Sequence, residues 1–146
     1  MPNTVRISVQ KVGDLKLQGT NALGRSILMD APVPHGGSDE GVRPIEALLM
    51  SLAGCASVDV LAILAKQRQV VEDFNVSIEG DRIDAVPAIF EAIRVHFAVK
   101  GIVNSQKLSE AVQLSAEKYC SVASMLRNGG IPITWTSEVV HDNTAH

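Results

Sequence analysis

Cys55 and Cys120 are the two cysteines of the chain, and they are the side chains best suited to covalent chemistry. A thiolate is a nucleophile, and two thiols that meet in a fold can cycle between a reduced pair and a disulfide. Two cysteines this far apart in sequence do not form the framework of a small secreted domain. In a reducing compartment such a pair is either chemically used or buried and inert, because unpaired cysteine packs as a small apolar side chain. The residues alone leave both interpretations open.

A reactive Cys55 needs a nearby cation, because its neighbours in sequence are apolar and apolar burial raises the pKa of a thiol. Cys55 lies in the middle of a predicted helix, so the helix N-terminus is too far away to help. Arg25, in a short loop, and Arg43, at the entrance of the helix, are the candidate cations, although most arginines simply face solvent. Glu46 would orient such an arginine through a bidentate pair, or would only complement the helix dipole in the first turn.

The spacing of Glu46 and Cys55 bears on whether Glu46 could orient an arginine beside Cys55. The two residues are nine positions apart, which is about two and a half turns of an α-helix. Their side chains therefore lie on opposite faces of the helix. If Glu46 serves a thiol site, we expect it to serve Cys55 of a second copy of the chain.

A metal site is a weaker alternative. The cysteines and His35, His96 or His141 could supply zinc ligands, but no CxxC or HxxxH spacing supports this, and we expect no metal and no other cofactor. His96 is predicted on the solvent side of its strand, and Asp59 is predicted to make a local polar contact where its helix packs. The sequence has no GxGxxG, Walker or GxSxG motif.

The composition limits the class of protein. The chain has 146 residues, of which 46% are hydrophobic and 20% charged, with a net charge of −3. These values predict one globular domain over residues 1–146 and give no basic surface for nucleic acid. The first ten residues contain no apolar signal segment, so we expect a cytoplasmic location.

The elements that position the thiols follow from periodicity. Alternating apolar residues predict a hairpin at 4–19 that turns at Gly13-Asp14, and a third strand at 26–30. A loop rich in proline and glycine follows, and later alternation gives three more strands, with two helices between the last two. The second helix is capped by Asn104 or Ser105, and Ser121 is predicted to cap the third. The remaining predicted ranges are loop 32–44, helix 44–67, strands 75–79 and 93–100, helix 105–120 and strand 133–140.

The first helix, 44–67, is apolar on nearly all sides, which is typical of a buried helix. It is long enough to cross a membrane, but Glu46 and Asp59 within it disfavour a span, and we expect no membrane partner. A helix of about 36 Å is as wide as the domain itself. One chain of this size cannot cover it on every side, so we expect an intertwined homodimer.

Two segments carry a resemblance to a known family. PIEALLMSLAGCASVDVLAIL, residues 44–64, resembles the first cysteine motif of the OsmC/Ohr superfamily, and KYCSVASML, residues 118–126, resembles the second. The order of elements agrees along essentially the whole chain, and the forms AGCxSxDV and KYCxVxxML are most similar to the YhfA-like branch. The Glu46–Cys55 spacing is one residue shorter than in the hydroperoxide-resistance enzymes of the superfamily.

The resemblance implies an α+β fold in which an antiparallel sheet wraps the central cysteine helix of an intertwined homodimer. It also implies that organic hydroperoxides are reduced by thiols, with no metal or flavin. Cys55 would attack the peroxide, Cys120 would resolve the sulfenic acid, and an external dithiol of lipoyl type would reduce the disulfide. Glu46 would position an arginine, for which Arg25 is preferred. The alternative function is a non-enzymatic dimeric stress protein that binds an apolar ligand in its interface cleft.

Overall fold

The computed structural model of the protein describes residues 3–141. The chain divides into two compact units, the first ending at Leu48 and the second beginning at Leu49. The elements come in the predicted order of three strands, a helix, two strands, two helices and a strand. They are β1 (Ile7–Lys11), β2 (Leu17–Asn21), β3 (Ser26–Met29), α1 (Pro44–Lys66), β4 (Val70–Arg82), β5 (Phe90–Ile102), α2 (Ser105–Leu114), α3 (Ser121–Asn128) and β6 (Ile133–Val140).

The first unit is an antiparallel meander of β1, β2 and β3. Lys11 pairs with Leu17 next to the connection that contains Gly13 and Asp14, which confirms the predicted hairpin. The following loop is held by the carboxylate of the buried Asp30. That carboxylate accepts hydrogen bonds from the backbone N–H groups of Ala31, Ser38 and Glu40 at 2.7, 3.2 and 3.2 Å. A segment with no periodic structure thereby has a fixed path.

Helix α1 begins at Pro44, whose fixed φ suits the first helical position. It ends at Lys66, and Arg68 then takes a left-handed φ of 58°. The fully buried positions on α1 recur every four residues and so form a single face. They are Leu52, Ala56, Val60 and Leu64.

The rest of α1 is apolar yet largely uncovered within one chain. Met50, Val58 and Leu61 are 53%, 69% and 38% exposed, and only 22% of the most apolar 18-residue window is buried. The mean hydropathy of that window is 2.1, so by length and composition alone the helix could cross a membrane. Core helices of soluble proteins meet the same criterion, and the choice between the two rests on the fold as a whole.

The second unit contains a separate sheet in the order β4, β5, β6. Strands β4 and β5 form an antiparallel pair of 13 residues each. They are longer than predicted, because backbone pairing continues where the side-chain alternation becomes polar. The β4–β5 pair is antiparallel as expected, but β6 lies parallel to β5, which the sequence did not predict. A parallel neighbour requires a crossover connection, and α2 and α3 provide it.

The crossover contains the second difference from the predicted structure. Helix α2 ends at Leu114 and is followed by a single π-helical turn, Ser115–Tyr119. The N–H of Cys120 donates to the carbonyl of Ser115 at 2.8 Å, which inserts one extra residue into the helical ladder. Cys120 is then extended and caps α3, while Ser121, the predicted cap, is already helical. The π turn thus rotates Cys120 out of the helix and onto the start of the next.

Candidate thiol site

Cys55 projects from α1 within the second unit, where it is half-buried and unpaired. The next residue, Ala56, belongs to the fully buried face of the helix. Asp59 follows Cys55 by one helical turn, and residues four apart lie on the same side of a helix. The spacing within the predicted helix therefore places a carboxylate beside the thiol.

Cys120 is presented by the start of α3. Its Sγ accepts a hydrogen bond from the backbone N–H of Ala123 at 3.4 Å, so the thiol performs the capping usually done by serine or aspartate. The side chain is buried, and the residue is 3% exposed. Arg127 donates to the carbonyl of Ala116 at 2.8 Å, and this bond ties α3 to the π turn. Cys120 is thus fixed from both sides.

The two thiols meet. The sulfur atoms of Cys55 and Cys120 and a carboxylate oxygen of Asp59 all lie within 4.8 Å of one another. A disulfide needs sulfur atoms about 2.05 Å apart, so only a modest movement of the side chains separates the reduced pair from a disulfide. This proximity makes the two thiols a candidate redox pair.

Asp59 makes the polar contact that the sequence predicted, but with a partner that the sequence does not reveal. Ser115, which is fully buried, donates from its hydroxyl to Asp59 Oδ2 at 3.1 Å and also lies 3.2 Å from the carbonyl of Ala56. The first residue of the π turn therefore holds the carboxylate against both thiols. Only the spacing of Cys55 and Asp59 could have indicated this, since nothing in the sequence marks Ser115.

The pKa of the Cys120 thiol is raised to about 11, chiefly by burial; the N–H of Ala123 lowers it, and the neighbouring Cys55 and Asp59 raise it. Only the thiolate reacts with iodoacetamide. We expect the alkylation rate at Cys120, followed by mass spectrometry of the modified peptide, to rise about tenfold per pH unit from pH 7 to 9. The unfolded protein is the control, because there the thiol returns to its ordinary pKa of 9.0.

A plateau below pH 9 in the alkylation rate of the folded protein would contradict that pKa.

The raised pKa of Cys120 also has a consequence for the stability of the fold. Because the pKa of Cys120 is raised in the folded state, the thiol makes a contribution to the free energy of unfolding that depends on pH. That contribution is present below the ordinary pKa of 9.0 and is lost as the pH rises through about 11.

The charged residues predicted to assist Cys55 belong to the first unit. Glu46 is exposed and accepts a hydrogen bond from the backbone N–H of Arg43 at 2.7 Å, which is one half of a capping box. The Arg43 guanidinium pairs with Asp39 at 2.6 Å. Arg25 is exposed after the β2–β3 turn, with its backbone N–H bound to Asn21 Oδ1 at 2.9 Å. The structure thus gives Glu46 a capping role and gives Arg43 a carboxylate partner of its own.

The histidines do not support the zinc alternative. His96 lies on the more exposed side of β5, between the buried Val95 and Phe97, as predicted. Its ring nitrogens contact Thr136 Oγ1 at 2.7 Å and Glu138 Oε1 at 3.1 Å. Within the described part of the second unit, neither this ring nor that of His141 belongs to the thiol cluster. His35 lies in the first unit, in a short 3₁₀ turn.

Comparison with known proteins gives consistent matches. A family model described as OsmC-like protein matches residues 36–136. Protein YhfA of Escherichia coli strain K12 is 41% identical over 133 residues, which span 90% of this chain and 96% of that protein. A crystal structure of a protein from Aquifex aeolicus VF5 has a TM-score of 0.84 at 30% identity, covering 97% of this chain and 100% of the other.

A more distant match concerns a named activity. An organic hydroperoxide resistance protein OsmC from Legionella pneumophila has a TM-score of 0.69 at 16% identity, over 94% of this chain and 98% of that one. At this identity the likeness shows the fold.

These matches cover the two cysteine motifs and most of the elements described above. They confirm the α+β class of the fold, and the apolar helix α1 is one of its elements. The identity to YhfA extends over nine tenths of the chain. The chain therefore belongs to the OsmC-like family, in the branch represented by YhfA.

Proposed function

We propose that the protein is a thiol-dependent peroxidase that reduces organic hydroperoxides in defence against oxidative stress. The observation that carries the proposal is the approach of two unpaired thiols, on separate helices, to within 4.8 Å. The name of the Legionella protein with the same fold, an organic hydroperoxide resistance protein, supports the choice of substrate. The cycle fits the cytoplasm, where dithiol reductants keep cysteines reduced.

The exposure of the two thiols supports a division of roles between them. Cys55 is half-buried and open to a substrate, whereas Cys120 is 3% exposed and closed to one. The Cys55 thiolate attacks the outer peroxide oxygen, the O–O bond breaks, and the alkoxide leaves as an alcohol after taking a proton. Cys120 then attacks the sulfenic acid on Cys55, which gives a disulfide and water. An external dithiol reduces the disulfide by exchange and regenerates both thiols.

We assign Arg25, positioned by Glu46, as the cation that activates Cys55. Arg43 already pairs with Asp39, so Arg25 is the better candidate. The bond from the Arg43 N–H uses one lone pair of Glu46, and a carboxylate has capacity for an arginine as well. Because Glu46 and Cys55 lie on opposite faces of α1, the Glu46 of a second chain serves the site.

A homodimer is the assembly that this arrangement needs. Each chain leaves two apolar surfaces uncovered, the outer side of α1 and one side of the β1–β3 sheet. On that sheet Ile7, Val9 and Ile27 are each more than half exposed. Apolar area of this extent is unusual on a monomer, and a second copy of the chain provides surfaces of matching character.

The direct test measures peroxide and alcohol together. The reduced protein is mixed with cumene hydroperoxide and dihydrolipoamide, and we expect many turnovers per protomer with one alcohol formed for each peroxide lost. The control is the Cys55→Ser/Cys120→Ser double variant. Consumption no faster than in this control would overturn the proposal and favour the non-enzymatic alternative, in which the fold binds an apolar ligand.

The same assay tests which arginine assists Cys55. We expect Arg25→Ala to lower the rate of peroxide consumption by about tenfold or more, since one pKa unit of a thiol changes its ionised fraction tenfold. Arg43→Ala is the matched control and should retain most of the rate. The reverse result would move the role to Arg43.

A further inference from the structure

Asp59 is an ionisable group beside the thiols that the proposed cycle has not used. Its carboxylate lies within 4.8 Å of both sulfur atoms and is held by the buried hydroxyl of Ser115 at 3.1 Å. Its neighbours in this cluster are Cys55 from its own helix, Ser115 from the π turn and Cys120 from the cap of α3. Among the residues described in the second unit, no other carboxylate and no histidine joins this cluster. A carboxylate this close to two thiols calls for a chemical explanation.

Closing the disulfide poses a proton problem. Cys120 must lose its S–H proton as it attacks, and the oxygen that leaves Cys55 must gain one to depart as water. A free Cys120 thiolate is unfavourable here, because the side chain is buried and has a carboxylate beside it. Hydroxide is likewise a poor leaving group without a proton donor. A group that accepts one proton and delivers the other removes both difficulties.

We propose that Asp59 carries the proton from Cys120 to the leaving oxygen when the disulfide closes. The Cys120 sulfur forms a bond to the Cys55 sulfur as its S–H proton passes to the Asp59 carboxylate. The S–O bond of the Cys55 sulfenic acid breaks, and the oxygen departs with its own hydrogen and the proton from Asp59. The products are one disulfide and one water, and Asp59 is a carboxylate before and after.

This role rests on the proposed peroxidase function and extends it to the second step. The raised pKa of Cys120 agrees with it, because the resolving thiol stays protonated at neutral pH until the sulfenic acid forms. The π turn provides the geometry, since Ser115 at its start holds the proton acceptor and Cys120, the residue that follows the turn, supplies the proton. The two groups are fixed relative to each other by five residues of backbone.

The test separates the two chemical steps in a single turnover. The reduced protein is mixed with one equivalent of cumene hydroperoxide in stopped flow and quenched at intervals. Alcohol release reports the first step, and the count of free thiols together with dimedone trapping of the sulfenic acid reports the second. In Asp59→Asn we expect alcohol release within a few-fold of wild type and disulfide closure slower by about a hundredfold.

The matched control is Asp84→Asn. Asp84 is exposed in the β4–β5 connection, and its substitution makes the same change of side chain and of net charge. Both steps should keep the wild-type rate in this variant. Ser115→Ala provides a second, milder change that removes only the hydroxyl holding the carboxylate. Closure should slow there by about tenfold, the effect of one lost hydrogen bond of about 1.4 kcal/mol.

A pH profile distinguishes proton transfer from a structural effect. In Asp59→Asn the residual closure rate should rise with pH as solvent removes the Cys120 proton, whereas the wild-type rate should change little between pH 6 and 8. If Asp59→Asn closes its disulfide at the wild-type rate, the inference is wrong and the peroxidase proposal stands. If the wild-type protein does not consume peroxide, both are wrong.

Discussion

Replacing Cys55 with serine is expected to abolish peroxide consumption completely. The hydroxyl of serine is a far weaker nucleophile than a thiolate, and the remaining thiol cannot substitute. Cys120 is 3% exposed, and its pKa is raised to about 11. At pH 7 it is therefore both closed to the peroxide and almost entirely protonated. The assay is the loss of cumene hydroperoxide in the presence of a dithiol.

Cys120→Ser should behave differently. The first oxidation requires only Cys55, so this variant should consume one peroxide per protomer in a single fast phase. The disulfide cannot form in this variant, and dimedone should therefore label the Cys55 sulfenic acid in full. Turnover with dithiol should be slower than in wild type, because an external thiol must attack the sulfenic acid directly.

Ser121→Ala is the control for both variants, since it changes the neighbouring residue and keeps both thiols. It should retain wild-type turnover. Equal residual activity in Cys55→Ser and Cys120→Ser would contradict the division of roles. Full activity in either variant would show that peroxide reduction does not depend on this pair.

The sequence predicted the elements that carry the thiols because those elements follow from local rules. The start of α1 depends on Pro44, and its length depends on uninterrupted apolar residues. The β1–β2 hairpin depends on alternation around Gly13-Asp14. Such features need only the residues within the segment, so one chain with no alignment is sufficient to find them.

The features that the sequence did not reveal depend on contacts between segments. Nothing within 105–120 marks the π turn, which is supported by the bond from Arg127 to Ala116 and by the contact between Ser115 and Asp59. The cap was assigned to Ser121 because serine is a much commoner cap than cysteine. One extra residue in the helical ladder makes Cys120 the cap of α3 and places the Cys120 thiol close to Cys55.

The parallel pairing of β5 and β6 was missed for a related reason. Alternation around Trp135 predicts a strand but not its direction. The direction is set by the crossover, and the same crossover carries Cys120. The strand order and the position of Cys120 are therefore consequences of one connection between β5 and β6.

The proposed homodimer leads to the second large expected effect. The exposed side of α1 is apolar, and Val58 lies on it with 69% of its surface exposed in the single chain. We expect wild-type protein to sediment as a dimer at micromolar concentration and Val58→Asp to sediment as a folded monomer. In a two-fold interface the substitution places two carboxylates in an apolar contact. Each costs several kcal/mol to bury without a partner, which is enough to raise the dissociation constant by about 10⁴-fold.

Val86→Asp is the matched control, because Val86 is fully exposed in the β4–β5 connection. It should remain a dimer with unchanged turnover. The Val58→Asp monomer should lose peroxide turnover as well, since the proposed site takes its Glu46 from the second chain. A wild-type monomer that is well folded at micromolar concentration would contradict the dimer. A Val58→Asp monomer with full turnover would show instead that each chain contains a complete site.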